Sequence, residues 1–448
     1  MIRHQDFPSR LLALAAIALT AANARANGAF PDEFSVHFSP KAPHRIYMGA
    51  NFGLIVSEDD GLTWRYSCEP WIVSSSNASL AYASVSFYQV TADDALLADS
   101  VTVTRSSDVA CTWPVSTGSV AGLTVADFFP DPNDASFVLA IVTTTTASYI
   151  VGSHDGGKTF DAPHLYDTTD LLTGVEIARS KPGVIYATSR STSGGAAKFL
   201  LSTTSGAQWT ATTLPIPSDT EPRILAIDPS DEKKVYLRLP GGVSDAMMMT
   251  ADGGQTFQMA IPAIAQFSSF LRAEDGAVYA GTRAGKLYVQ PAGVTGFTAR
   301  DAPHLRCLGQ RPGTSRIYAC ADMFLDGYSL GYSDDNGATF HGMMSFTRIL
   351  GPLTCPTVQA NCAAHWGRIQ QVLGITVPDA GQSPNGGAPR PSGGSHCATG
   401  GVHAWSFWLI FAFMVRRAMR TASKMTRSDF AHPWFHFPTP ARGFKRRT

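Results

Sequence analysis

Charge is scarce in this chain. Of its 448 residues, 16% are charged, and 35 Lys plus Arg cancel 35 Asp plus Glu. Nucleic-acid binding needs a clustered basic face, and the basic residues here are scattered until the last thirty or so positions, so no nucleic acid is expected as a partner. Long helical periodicity is missing from the body of the chain, which argues against a helical fold. The seven cysteines include no CxxC pair and no close Cys/His cluster, which argues against zinc; neither metal nor cofactor is expected. The serines lack a nucleophile elbow, and no Tyr–Glu couple stands out.

Gly, Ser, Thr and Ala are abundant instead, and they fall into a repeat. Ser57–Trp64 reads SEDDGLTW. Related octads are SSDVACTW from Ser106, SHDGGKTF from Ser153, STTSGAQW from Ser202, TADGGQTF from Thr250 and SDDNGATF from Ser333. The pattern is Ser/Thr-x-Asp-x-Gly-x-Thr-Trp/Phe. Successive starts fall just under fifty residues apart, and the wide gap before Ser333 leaves room for one decayed copy near Gly293–Phe297. A period of this kind marks a repeat architecture.

Each unit has a Pro/Asp/Gly turn, a β-branched run, a second run and then the octad. Examples of the first strand are RSKPGVIYATSR and DPSDEKKVYLRL; GLIVSED and AKFLLSTT are second strands. Short runs, apolar on alternate positions and bounded by turn formers, are strands. Four strands per unit and seven units predict an all-β, seven-bladed β-propeller over 27–350. The period is too long for a β-helix coil and too short for a β-sandwich domain.

Within that frame the octads read as turn locks. Asp59, Asp108, Asp155, Asp252 and Asp335 are placed to accept hydrogen bonds from their own turn's amides. Gly61, Gly157, Gly206, Gly254 and Gly337 supply a conformation that a β-carbon resists. Trp64, Trp113, Phe160, Trp209, Phe257 and Phe340 are expected to bury a ring against the next blade. Ala110, Thr204 and the whole of the sixth unit depart from the pattern and predict looser turns there.

The motif resembles the Asp-box, or bacterial neuraminidase repeat, of sialidases, sortilin-type receptors and a photosystem assembly factor. The resemblance covers roughly Ser39–Thr347. It implies a propeller whose boxes lie on the blade periphery, away from the active-site mouth. A sialidase would need three arginines, a tyrosine nucleophile beside a glutamate, and an aspartate. Arg45-Ile46-Tyr47 stands where that family carries Arg-Ile-Pro, and Arg45 is read as an ordinary surface residue. Arg223, Arg272, Arg283, Arg306 and Arg316 are too dispersed to count. Asp93, Asp94 and Asp170 are read as solvated loop acids rather than a glycosidase pair. Asp131, Asp134, Asp228 and Asp231 are read as turn formers rather than calcium ligands. Met247–Met249 reads as a buried strand. No catalytic residue is assigned.

The termini have their own signals. Arg3, His4 and Arg10 precede LLALAAIALTAA, and Ala24-Arg25-Ala26 offers a cleavage site, so 1–26 reads as a secretory signal, an uncleaved anchor being the alternative. Export permits disulfides. Cys307 with Cys320 is expected across a hairpin, Cys355 with Cys362 around a small loop, and Cys68 with Cys111 between the first two units. Asn77-Ala78-Ser79 matches a glycosylation acceptor that is not expected to be used. After the last unit, 351–376 is expected to hold the cysteine loop and a short amphipathic helix from about Ala363 to Leu373. A Pro/Gly-rich linker, 377–400, follows, then an apolar segment with Arg416, Arg417 and Arg420 over 401–420, and a basic tail over 421–448.

Linker, cysteine among small residues, apolar run and arginines resemble the C-terminal sorting tail of myxobacterial surface proteins. That implies processing or lipidation at Cys397; a simple membrane anchor is the alternative. The expected protein is an exported, monomeric, envelope-tethered propeller that binds a protein or glycan without catalysis. Two other functions stay open: a glycan hydrolase with acids around one mouth of the channel, and a scaffold factor with one large apolar patch.

Overall fold

Every unit folds by one local rule: successive strands pair antiparallel with their sequence neighbours, so each unit becomes a meandering sheet. The computed structural model describes residues 33–73, 87–99 and 103–375. The expected signal segment, Asn77, the expected linker, Cys397, the apolar run and the basic tail lie outside the described residues.

Seven sheets form a seven-bladed β-propeller. Their innermost strands are Glu33–Phe38, Phe87–Val90, Thr124–Pro130, Leu171–Ile177, Arg223–Asp228, Phe267–Arg272 and Leu305–Gln310. Each touches the next around the axis, and the last returns to the first. Second strands such as Ile46–Ala50, Val278–Thr282 and Ile317–Ala321 are buried at every position. The alternation expected of one-faced strands gives way there because blades stack face to face, leaving both faces dry.

The octads join the third and fourth strands. In the first, Ser57 Oγ donates to Asp59 Oδ1 at 2.9 Å, the Gly61 amide donates to Ser57 Oγ at 2.8 Å, and the Thr63 amide donates to Asp59 Oδ1 at 2.8 Å. Ser106–Asp108, Ser153–Asp155, Thr250–Asp252 and Ser333–Asp335 repeat the hydroxyl-to-carboxylate bond at 2.7 to 2.8 Å. The octads of Ala110 and Thr204 hold the same turn. Ala110 takes the left-handed φ of 64° that glycines take elsewhere. Thr204 Oγ1 replaces the carboxylate and accepts the Gln208 amide at 2.8 Å.

The octad rings pack backward, not onto the next blade as expected. Phe257 meets Phe199 of the preceding blade at 5.4 Å, and the Trp209 indole donates to the preceding blade's Leu165 carbonyl at 2.9 Å. The octad glycines face the same way. A Cβ on Gly254 would lie 2.5 Å from Phe199, and one on Gly337 would lie 2.8 Å from Leu287. Right-handed twist turns each hairpin toward the blade behind it.

Among the described residues, no strand is exchanged to close the ring. The segment after blade seven, Ile349–Pro352, instead pairs parallel to Trp64–Cys68 of blade one. Thr117–Gly118 likewise leaves blade two to pair parallel with Thr159–Thr168 of blade three. At the closing seam Arg311 bonds Asp60 at 2.5 Å and stacks over Phe38 and Tyr318.

The C-terminal helix spans Pro356–Leu373, about two turns longer at its start than expected. Pro356 opens it in a position where no amide is needed. Val358, Cys362, Trp366 and Ile369 make its buried stripe, and Trp366 meets Tyr66 at 5.2 Å. The helix corrects two of the expected disulfides. The bonds are Cys68–Cys362 and Cys111–Cys355, with Cys307–Cys320 across its hairpin as expected. Seven residues along a helix advance about 10 Å, beyond the reach of a disulfide, so Cys355 and Cys362 cannot bond each other. Two turns apart, they share one face and meet separate blades.

Candidate functional site

The innermost strands carry an unexpected set of ionisable groups. Asp127 stands in VADFF of blade three and Glu176 in VEIA of blade four, both half-buried between apolar neighbours. Asp127 Oδ2 accepts the Val175 amide of the next blade at 2.9 Å, and Glu176 Oε2 accepts the Ile227 amide of the blade after that at 3.1 Å. Each acid thus bridges its blade to the next around the channel. Burial raises the Asp127 carboxyl to about 7, against the Val175 amide and Arg223. Burial, then the neighbouring Asp127 charge, raises Glu176 to about 8. On the first strand, burial lowers the His37 imidazole to about 4, so it is neutral.

Glu176 reaches one end of the channel, where six of the seven innermost strands and their turns line a mouth of about 440 Å³. Phe129 and Phe270 supply rings, Gln89 and Gln310 supply amides, and the exposed Arg179 stands at the edge. The remaining charges of the lining are engaged. Arg272 grips Asp228 at 2.6 and 2.9 Å. Glu274 accepts the Gly313 amide at 3.0 Å, and its own amide donates to Gln310 Oε1 at 2.8 Å.

No octad residue lines this mouth. The octad carboxylates are committed to their own turns: the Thr256 hydroxyl and amide hold Asp252, and those of Thr339 hold Asp335, well below the usual carboxylate range. Of the arginines weighed for a sialidase, Arg272 alone lines this mouth. Arg272 ends its innermost strand, whereas Arg306 begins its own and pairs with Asp322 at 2.6 Å. Arg316 pairs with Asp334 at 2.7 Å. Arg45 is no ordinary surface residue: it is largely buried and ties blade one to Asp94 of blade two at 2.6 Å. Asp93 pairs with Lys41 at 2.5 Å and Asp170 with Lys198 at 2.8 Å, so these are ion-paired rather than simply solvated. Asp131, Asp134, Asp228 and Asp231 each accept an amide two residues on, as turn formers do.

Sequence reasoning passed over Asp127 and Glu176. A signal was present, because they stand one repeat apart and each interrupts an otherwise apolar strand.

No protein-family model matches the sequence, and a search of curated proteins finds no match. Among solved structures, the fold is similar to an ancestral GH74 enzyme, with a TM-score of 0.54 and 13% identity, over 70% of this chain and 47% of that one. The chain therefore spans about half of that enzyme's length. The Dos1 propeller is similar with a TM-score of 0.50 and 9% identity, over 71% of this chain and 85% of that one. YCF48 from Cyanidioschyzon merolae aligns at a TM-score of 0.44 and 14% identity, over 64% of this chain and 92% of that one. At these identities the likeness is one of fold.

Proposed function

We propose that this chain is an exported, envelope-tethered propeller of the Asp-box type that binds a protein or glycan ligand at the channel mouth without cleaving it. The composition of that mouth carries the reading. Two rings, two amides and an exposed arginine face the opening, while Arg272 and Glu274 are already spent on the scaffold. Rings and amides recognise a polar ligand; general acid–base catalysis needs an acid and a base free to exchange protons with it. Three disulfides fit an oxidising compartment. The exposed large apolar side chains, among them Leu62, Val115, Val243, Met259 and Phe324, are spread over several blades, which favours a binder over a scaffold with one apolar patch. Tethering through processing at Cys397 belongs to the same proposal; the mass of the mature protein tests it.

The second reading is a glycan hydrolase. It is favoured by Glu176, whose raised pKa keeps a proton available at neutral pH. A glycan array combined with a hydrolase screen on the purified protein separates the two. Binding without turnover, weakened by Phe270→Ala and untouched by Glu176→Gln, is expected. Turnover that disappears in Glu176→Gln replaces the binding reading with the hydrolase.

A further inference from the structure

The seam between blades five and six differs from the others. In six blades, positions four and five of the octad both take positive φ, as in Gly253 with Gly254 and Asn336 with Gly337. That geometry presses the hairpin onto the preceding blade. Blade six carries QPAGVTGF at the equivalent place, Gln290–Phe297, after the strand Lys286–Gln290. Nothing in it can play the Ser/Thr–Asp lock. Its positive φ values fall instead on Gly293 and Gly296, at positions four and seven, and neither has any neighbour at 4 Å or closer in the direction of a Cβ.

The hairpin therefore stands off blade five and leaves a groove of about 520 Å³. Met249, Ala260 and Phe297 line its apolar part. Met259 and Val294, 47% and 52% exposed, stand on its rim, where a sealed seam would have covered them. Gln258 and Gln290 add amides. Lys234 brings the one charged group of the lining. Its nearest acid, Asp228, is already held by two nitrogens of Arg272, which leaves Lys234 a long 3.9 Å ionic contact beside its place over the Tyr236 ring, 5.6 Å from the centroid. The ammonium is thus placed to take a second anion. Thioethers and a phenyl ring favour aromatic surface.

We propose that the seam between blades five and six is a second binding site, separate from the channel mouth, for an aromatic group that carries a carboxylate. The aromatic part seats on Met249, Met259 and Phe297, and the carboxylate meets Lys234. Loss of the octad lock made the site, so restoring the lock should remove it. Four substitutions do so: Gln290→Ser, Ala292→Asp, Val294→Gly and Gly296→Thr.

Indole-3-acetate serves as the probe, titrated into the full-length protein and followed by ligand-observed NMR. Saturable binding is expected, weaker by about threefold to tenfold for the neutral indole-3-acetamide. Lys234→Gln should erase that preference. The octad-restored protein should lose binding while its melting temperature holds or rises. Met259→Glu, which places a like charge on the rim, should also lose it and serves if the restored protein does not fold. Unsaturable binding, or wild-type binding in the restored protein or in Met259→Glu, overturns the site. Equal affinity for acid and amide overturns the role of Lys234. A peptide ending in free tryptophan that binds more tightly than indole-3-acetate would identify a chain terminus as the source of the same chemistry.

Discussion

Ala110 stands where five other units carry glycine, with the same left-handed backbone and no exposure. It shows that the octad needs the conformation first and the missing side chain second. The other units need both, because the preceding blade fills the space. Two glycines separate these contributions. Gly313, at φ 75°, faces open space, so Gly313→Ala should cost about 1 kcal/mol of strain alone. Gly254→Ala adds the collision with Phe199 and should cost about 1–3 kcal/mol more, read from denaturant midpoints. The channel acids make a second prediction. Unfolded carboxylates titrate near 4, whereas Asp127 and Glu176 hold protons to about 7 and 8. Between those values the folded state binds protons that the unfolded state has released, so stability falls as pH rises from 5 to 9. Asp127→Asn and Glu176→Gln keep an oxygen for the bridging amide and should flatten that decline in melting temperature. Within one unit each shows only as a lone acid in a largely apolar strand; the comparison of strands one repeat apart would have picked them out.

Secondary structure was legible because its cues are local. Turn formers, short apolar runs and the octads mark strand after strand without knowledge of the partner. The helix was half legible. Its apolar stripe shows in Trp366 and Ile369, but its first two turns hid behind the expectation of a small cysteine loop. Disulfide partners follow from three-dimensional proximity, and only the hairpin pair Cys307–Cys320 is also near in sequence. The other two cross 294 and 244 residues. Cys68 and Cys362 are buried, whereas Cys111 and Cys355 are partly exposed, so mild reductant should open the second bond before the first. Replacing Cys68 and Cys362 together by serine should cost about 4 kcal/mol if loop entropy governs, because the bond from Cys111 to Cys355 leaves it a loop of only about fifty residues to close. Faster tryptic cleavage at Arg368 would register the released helix.

For the whole molecule, the period near fifty residues foretold the ring and its seven members, because a unit that buries both faces needs a neighbour on each side. The mouth was not foretold, since six strands from distant parts of the chain compose it. Nor was the closure. A propeller without an exchanged strand needs another fastening, and here the final strand, the helix and the bond from Cys68 to Cys362 provide it. That fastening decides which path a mechanical load follows. A pull applied between Glu33 and Ile375 runs through blade one to Cys68, crosses the sulfur bridge to Cys362, and leaves along the helix. Everything from blade two to blade seven hangs from that path as a slack, unloaded loop, so tugging on the two ends would strip blade one and the helix while the remaining blades feel no tension along their backbone.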